Sequence, residues 1–137
     1  MAVRIKSITV DCTDPLALAA FWSEVTGFRE DPDDPNVLGD AEALLVATDG
    51  SPDLLFIAVP EAKSVKNRLH LDLVPSGRRR EAEVDRLLAL GATLVDDLRH
   101  ADGTGWAVLA DPEGNEFCVL RSTAERAAVT DGRADPE

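Results

Sequence analysis

The sequence is short of the features that would mark a disulfide scaffold, a membrane segment or a nucleic-acid surface. Only 2 Cys occur in 137 residues, and Cys12 and Cys118 form no CxxC pair. The opening MAVRIKSITV has no apolar run of signal-peptide length, and no stretch elsewhere is apolar enough to span a bilayer. Both cysteines therefore read as reduced thiols of a cytoplasmic protein. Positive charge is scarce: 14 Lys and Arg stand against 26 Asp and Glu, for a formal net charge of −12 and a pI near 4.5. That balance excludes a polyphosphate backbone as partner and disfavours an anionic membrane surface. Aromatics are few, with no Tyr, 4 Phe and 2 Trp, so composition says little about ligand shape.

What is present suffices for one domain with a hydrophobic core needing neither disulfides nor a structural metal. The apolar fraction is an ordinary 45%. Eleven Arg against three Lys suggest a GC-rich bacterial genome. Residues 3–12 alternate as a half-buried strand, with Ile8, Val10 and Cys12 on one face and Ser7, Thr9 and Asp11 on the other. Asp14-Pro15 is an N-cap followed by proline at the first helical position, and Gly27 closes the helix over 16–25. A turn follows at 31–36, with strands expected at 43–48 and 54–59 and a short one at 28–30.

The second half repeats the plan. A strand is expected over 69–74, with Leu69, Leu71 and Leu73 on the face toward a helix and His70, Asp72 and Val74 opposite. A helix over 80–90 ends at Gly91, and strands follow at 93–95, 106–110 and 116–120. The turn Asp111-Pro112-Glu113-Gly114-Asn115 joins the last two strands. The run Arg78-Arg79-Arg80 reads as a solvated helix start, His100 as a loop residue, and the basic stretch 60–68 as the link between halves. Superposing Ser7 on His70, an offset of 63, brings the apolar faces into register. The expected fold class is thus α+β: two tandem βαβββ modules, about 3–59 and 68–121 within a domain of 1–122, forming curled mixed sheets around a cleft with helices on the outer faces. A mobile tail with a short helical start is expected over 123–137.

Strand parity assigns His70, Asp72, Ser7, Thr9, Glu116 and Cys118 to the polar faces, a set able to bind a divalent transition metal or transfer protons. For each residue a structural reading stands beside the functional one. His70 and Glu116 are candidate acid–base groups or ligands, or residues satisfied within the sheet. Cys118 is a ligand or a small core residue. Asp72 orients His70 or pairs with Arg68 or Lys66. Trp106 stacks on a bound ring or packs in the core.

The segments Val10-Asp11-Cys12-Thr13-Asp14-Pro15, Leu18-Ala19-Ala20-Phe21-Trp22, Arg68-Leu69-His70-Leu71-Asp72-Leu73 and Ala89-Leu90-Gly91-Ala92, with the strand–turn–strand from Trp106 through Asp-Pro-Glu-Gly-Asn to Val119, resemble the vicinal oxygen chelate superfamily over about 3–121, specifically its glyoxalase-like (glyoxalase/bleomycin-resistance/dioxygenase) members. The resemblance implies paired βαβββ modules, a small-molecule ligand and, commonly, a homodimer. In metal-dependent members His, Glu or Gln side chains hold a divalent ion. Here His70 matches a ligand position, Ser7 falls where the first module would supply one, Cys118 replaces the usual carboxylate, and the strand at 54–59 offers only apolar residues. The implied metal set is His70, Glu116 and Cys118 around Zn, Ni, Mn or Fe, or no metal at all. Catalysis would rest on His70 and Glu116, and ligand binding on Ser7, Thr9, Asp72, Trp106 and Cys118. Three functions follow as expectations: a metal-dependent lyase, isomerase or dioxygenase; a metal-free protein sequestering an apolar or aromatic compound such as an antibiotic; or a non-catalytic dimer module with a vestigial cleft.

Overall fold

The computed structural model describes residues 2–128. Residues 129–137 of the expected tail lie outside the described residues. The chain divides into two compact units, Met1–Ser64 and Val65–Glu137.

In the first unit, β1 (Ser7–Cys12) leads into α1 (Pro15–Thr26), followed by β2 (Glu42–Leu45) and β3 (Asp53–Ala58). Local chemistry sets both ends of α1. The Asp14 carboxylate accepts from the Ala17 amide at 3.2 Å, Pro15 opens the first turn, and Gly27 adopts φ 79° to donate to the Ser23 carbonyl. Leu18, Ala19 and Trp22 fall on one helical stripe, with Phe21 beside it, and all four are buried. The sheet order is β1-β3-β2, with β1 parallel to β3 and β2 antiparallel to it. The register sets Val10 beside Phe56, which pairs in turn with Ala43, and Ile8 beside Leu54, so the buried Ala43, Leu54 and Phe56 share one face with the half-buried Ile8 and Val10. Thr9 and Asp11 pair with Leu55 and Ile57 on the opposite face. The expected strand at 28–30 is a single bridge between Arg29 and Val46.

In the second unit, β4 (Asp72–Leu73), α2 (Arg80–Leu90), β5 (Thr93–Asp97), β6 (Ala107–Ala110) and β7 (Glu116–Val119) precede the short α3 (Thr123–Ala127). The sheet order β4-β7-β6-β5 repeats the pairing of the first unit, since the first strand is again parallel to the last and the last antiparallel to its predecessor. Gly91, at φ 117°, ends α2 as Gly27 ends α1. The turn between β6 and β7 is built on Asp111, whose carboxylate accepts from the amides of Glu113 and Asn115 and from the Asn115 side chain. A capping box between Ser122 and Glu125 starts α3.

Two further expectations need correction. The strand over 69–74 contracts to Asp72–Leu73, and Leu69 is 89% exposed rather than turned toward a helix. Upstream, side-chain bonds replace the ladder: the Asn67 amide donates to the Glu116 carboxylate at 2.8 Å, and the Glu116 amide donates to the Asn67 side-chain oxygen at 3.1 Å. The triple-arginine run is not uniformly solvated either. Arg78 and Arg79 are exposed, but Arg80 is only 3% exposed because backbone carbonyls 23 to 25 residues downstream receive its guanidinium.

Candidate functional site

The second unit carries a cavity of about 440 Å³ on one face of its sheet. Strand register explains how it is lined. Asp72 pairs with Cys118, Cys118 with Val108, and Val108 with Asp96, so one row crosses all four strands from β4 to β5 with its side chains on a common face. His70 lies two residues before Asp72, and its Nε2 stands 3.3 Å from the Asp72 carboxylate. One potential ligand atom from each of His70, Asp72 and Cys118 falls within 4.8 Å of the others, and this is the one such group of three among the described residues. His70 and Asp72 are exposed whereas Cys118 is buried, so the thiol forms the inner end of the cluster. Leu98 and Trp106 add an apolar wall, and their backbones are hydrogen-bonded to each other at 3.0 and 3.4 Å.

Of the residues that the sequence singles out, His70, Asp72, Trp106, Glu116 and Cys118 all line this cavity. Glu116 lines it without joining the three-donor cluster; one of its carboxylate oxygens receives the Asn67 amide. Ser7, half-buried, and Thr9, exposed, stand on β1 of the first unit. The lining also includes Asp96 and Leu98, which no motif in the sequence marks, and Val108, to which the sequence assigns no functional role. Parity is the signal for Val108, which lies in β6 two positions after Trp106, the residue just before that strand. Asp96 cannot be reached that way, since the register of β5 shifts between Leu94 and Asp96.

The charged groups around the start of α2 are strongly coupled. Burial raises the pKa of the Glu83 carboxyl, but Arg86 and Arg78 hydrogen-bond and attract it, and the net result lies below the ordinary carboxylate value. Glu81 behaves alike: burial opposes its ionisation, while the hydrogen bond from Arg80 and the charges of Arg80 and Arg79 prevail. Glu125 is likewise lowered, because the amides of Ser122 and Arg80 outweigh its burial. At the end of β5, the Arg99 guanidinium holds the Asp97 carboxyl down to about 2. Three carboxylates thus stand where cations at a helix N-terminus would otherwise be unfavourable.

Comparison with known proteins bears on the fold and the family. The glyoxalase-like domain model matches residues 7–120. A glyoxalase/bleomycin resistance protein/dioxygenase family enzyme from Burkholderia phytofirmans is 24% identical with a TM-score of 0.62, over 85% of this chain and 97% of that one. The fosfomycin resistance protein FosX of Mesorhizobium loti is 14% identical with a TM-score of 0.66, over 94% and 100% of the two chains. A mutant FosX of Listeria monocytogenes, in complex with Mn(II) and 1S,2S-dihydroxypropylphosphonic acid, is 16% identical with a TM-score of 0.65, over 93% and 98%. No curated protein sequence matches the chain significantly. The family match covers most of the chain, and the two mixed sheets agree with it: the protein belongs to the glyoxalase-like domain family of the vicinal oxygen chelate superfamily.

Proposed function

We propose that this chain binds a small organic molecule in the cavity of its second unit, at a divalent transition metal held by His70, Asp72 and Cys118. The observation that carries the reading is the convergence of three donor atoms within 4.8 Å inside a cavity walled by Trp106. An imidazole nitrogen, a carboxylate oxygen and a thiolate sulfur fit zinc, nickel or iron, and three protein ligands leave room for a fourth from solvent or substrate. A bound ion would supply Lewis-acid polarisation of a substrate oxygen, the chemistry of a lyase, isomerase or dioxygenase. The chain's own groups do the rest. Trp106 and Leu98 shield the ligand from water, and Glu116, anchored through Asn67, offers a carboxylate within the same cavity for proton transfer. Asp72 enters the ligand set where Glu116 was expected, because its register neighbour in the sheet is Cys118.

A second reading, metal-free sequestration of an apolar or aromatic compound, is favoured by a different observation. His70 and Asp72 already satisfy each other, and Leu98, Trp106, Val108 and Leu120 supply an apolar wall. Elemental analysis after dialysis against Zn²⁺, Ni²⁺, Mn²⁺ or Fe²⁺ separates the two. About one ion per chain, lost in both His70→Ala and Cys118→Ser, supports the metal site. No retained ion, with Trp106 fluorescence responding to aromatic compounds, moves the assignment to sequestration. Homodimerisation is proposed alongside, and sedimentation of a monomer at micromolar concentration would refute it.

A further inference from the structure

We propose that Arg80 is a positioning residue for this cavity: its guanidinium holds the loop between β5 and β6 in the conformation that sets Trp106 and Leu98 as the cavity wall. The use of that wall rests on the binding reading above, but the coupling from Arg80 to Trp106 is a property of the chain alone.

Arg80 opens α2, yet its side chain is 3% exposed. Its Nη1 lies 3.2, 3.1 and 2.8 Å from the carbonyl oxygens of Gly103, Thr104 and Gly105, three consecutive residues that turn inward to meet it. Gly103 and Gly105 take φ of 92° and 86°, a left-handed backbone that other residues avoid and that aims these carbonyls at one point. The Nε and Nη2 atoms donate to Glu81, which supplies the counter-charge a buried cation needs. The backbone amide of Arg80 donates to Glu125, so the start of the helix is itself fixed. A buried guanidinium with all three nitrogens engaged is a rigid anchor: Glu81 on the same helix fixes Nε and Nη2, and a loop displacement would leave the buried Nη1 without its three carbonyl acceptors.

The loop leads directly to the cavity. Gly105 immediately precedes Trp106, and Leu98 is bonded to Trp106 across the base of the loop. A Cβ at Gly105 would lie 2.0 Å from the Leu98 carbonyl oxygen, so the two sides of the loop close only because that residue is glycine. Within the loop, His100 donates its amide to Thr104, and Asp102 accepts from the Thr104 amide and hydroxyl. These bonds give the loop its internal shape. Arg80 ties that shape to α2. Without the tie the loop can pivot on its base, and the side chains at the base, Leu98 and Trp106, move with it.

The test uses the full chain carrying Trp22→Phe, which leaves Trp106 as the single indole of the 2 in the sequence. Arg80→Met and Arg80→Lys are added to it, with folding checked by circular dichroism and cooperative thermal unfolding. Arg80→Met is expected to raise acrylamide quenching of Trp106 about two-fold as the loop gains freedom. Arg80→Lys, which keeps a cation among the carbonyls, is expected to recover more than half of that change. Unaltered quenching in folded Arg80→Met, or a lysine variant no nearer to the parent than the methionine one, overturns the proposal. If Arg80→Met does not fold, Arg80→Gln takes its place, and the same rise or absence of a rise in quenching decides. No metal or organic ligand enters these measurements. Failure of the parent protein to retain Zn²⁺, Ni²⁺, Mn²⁺ or Fe²⁺ therefore overturns the metal reading and leaves the Arg80 result standing.

Discussion

The two units share one order of strand pairing and are held together by different chemistry. The first is an apolar assembly: Phe21, Trp22, Phe28, Leu54 and Phe56 are buried around α1 and its sheet. The second contains every buried polar or charged residue found among those described, namely Arg80, Glu83, Asp111, Arg121 and Ser122. It also holds the cavity and the three-donor cluster. Topology is therefore shared where chemistry is not. Backbone pairing needs only extended segments of suitable length, and the side chains on a face are free to differ. Buried polar groups demand partners with correct geometry, so the unit that carries them has more of its shape dictated by individual hydrogen bonds.

The contrast can be broken most severely in the first unit. Phe56 is fully buried at the centre of the three-stranded sheet, and Phe56→Ala is expected to cost about 3–5 kcal/mol through lost burial and the cavity left behind. Urea unfolding should show this as a lowered midpoint; a loss below about 1 kcal/mol would contradict an apolar basis for that unit.

In the second unit the weak point is polar. Asp111→Ala removes the acceptor of three donors in the β6–β7 turn, and a loss of about 1–3 kcal/mol is expected from stranding half-buried amides. Asp111→Asn keeps one acceptor oxygen and should cost less. Equal losses in the two variants would show that the carboxylate is not what organises the turn.

The smallest effect is electrostatic and depends on pH. The folded-state pKa of Asp97 is lowered from 3.8 to about 2 by the Arg99 hydrogen bonds. Its stabilisation is therefore present above pH 3.8 and fades as pH falls from there toward about 2, where the folded protein also binds the proton. The carboxylate is half-exposed, so solvent screening limits the contribution to under about 1 kcal/mol. Comparing acid unfolding of the parent and Asp97→Asn measures it. An unchanged difference in stability across that window would show that the pair contributes nothing.

Much of this is legible in the sequence, for reasons that are local. The caps of α1 at Asp14 and Gly27, the closing Gly91 and the Asp111–Asn115 turn are each written in residues within a few positions of one another. Period-two alternation alone places His70 with Asp72, and Glu116 with Cys118, on common faces, and all four line the cavity. The family match over 7–120 agrees with the resemblance that those segments carry.

Other features are settled only by contacts distant along the chain. The shortening of β4 depends on Asn67 and Glu116 exchanging bonds across 49 positions, which no local pattern encodes. Arg80 reads as a member of a solvated basic run because its neighbours are solvated; its burial follows from carbonyls as far as 25 residues downstream. Asp72 joins Cys118 through the parallel register of β4 with β7, and Asp96 reaches the same row only because of a bulge. Helix ends, turns and the faces of strands were determined by the sequence itself, since adjacent residues satisfy or fail to satisfy the backbone there. Which donors meet in the cavity, and which cation is buried beneath its wall, was decided by the tertiary structure, because register and loop placement alone bring remote polar groups within bonding distance.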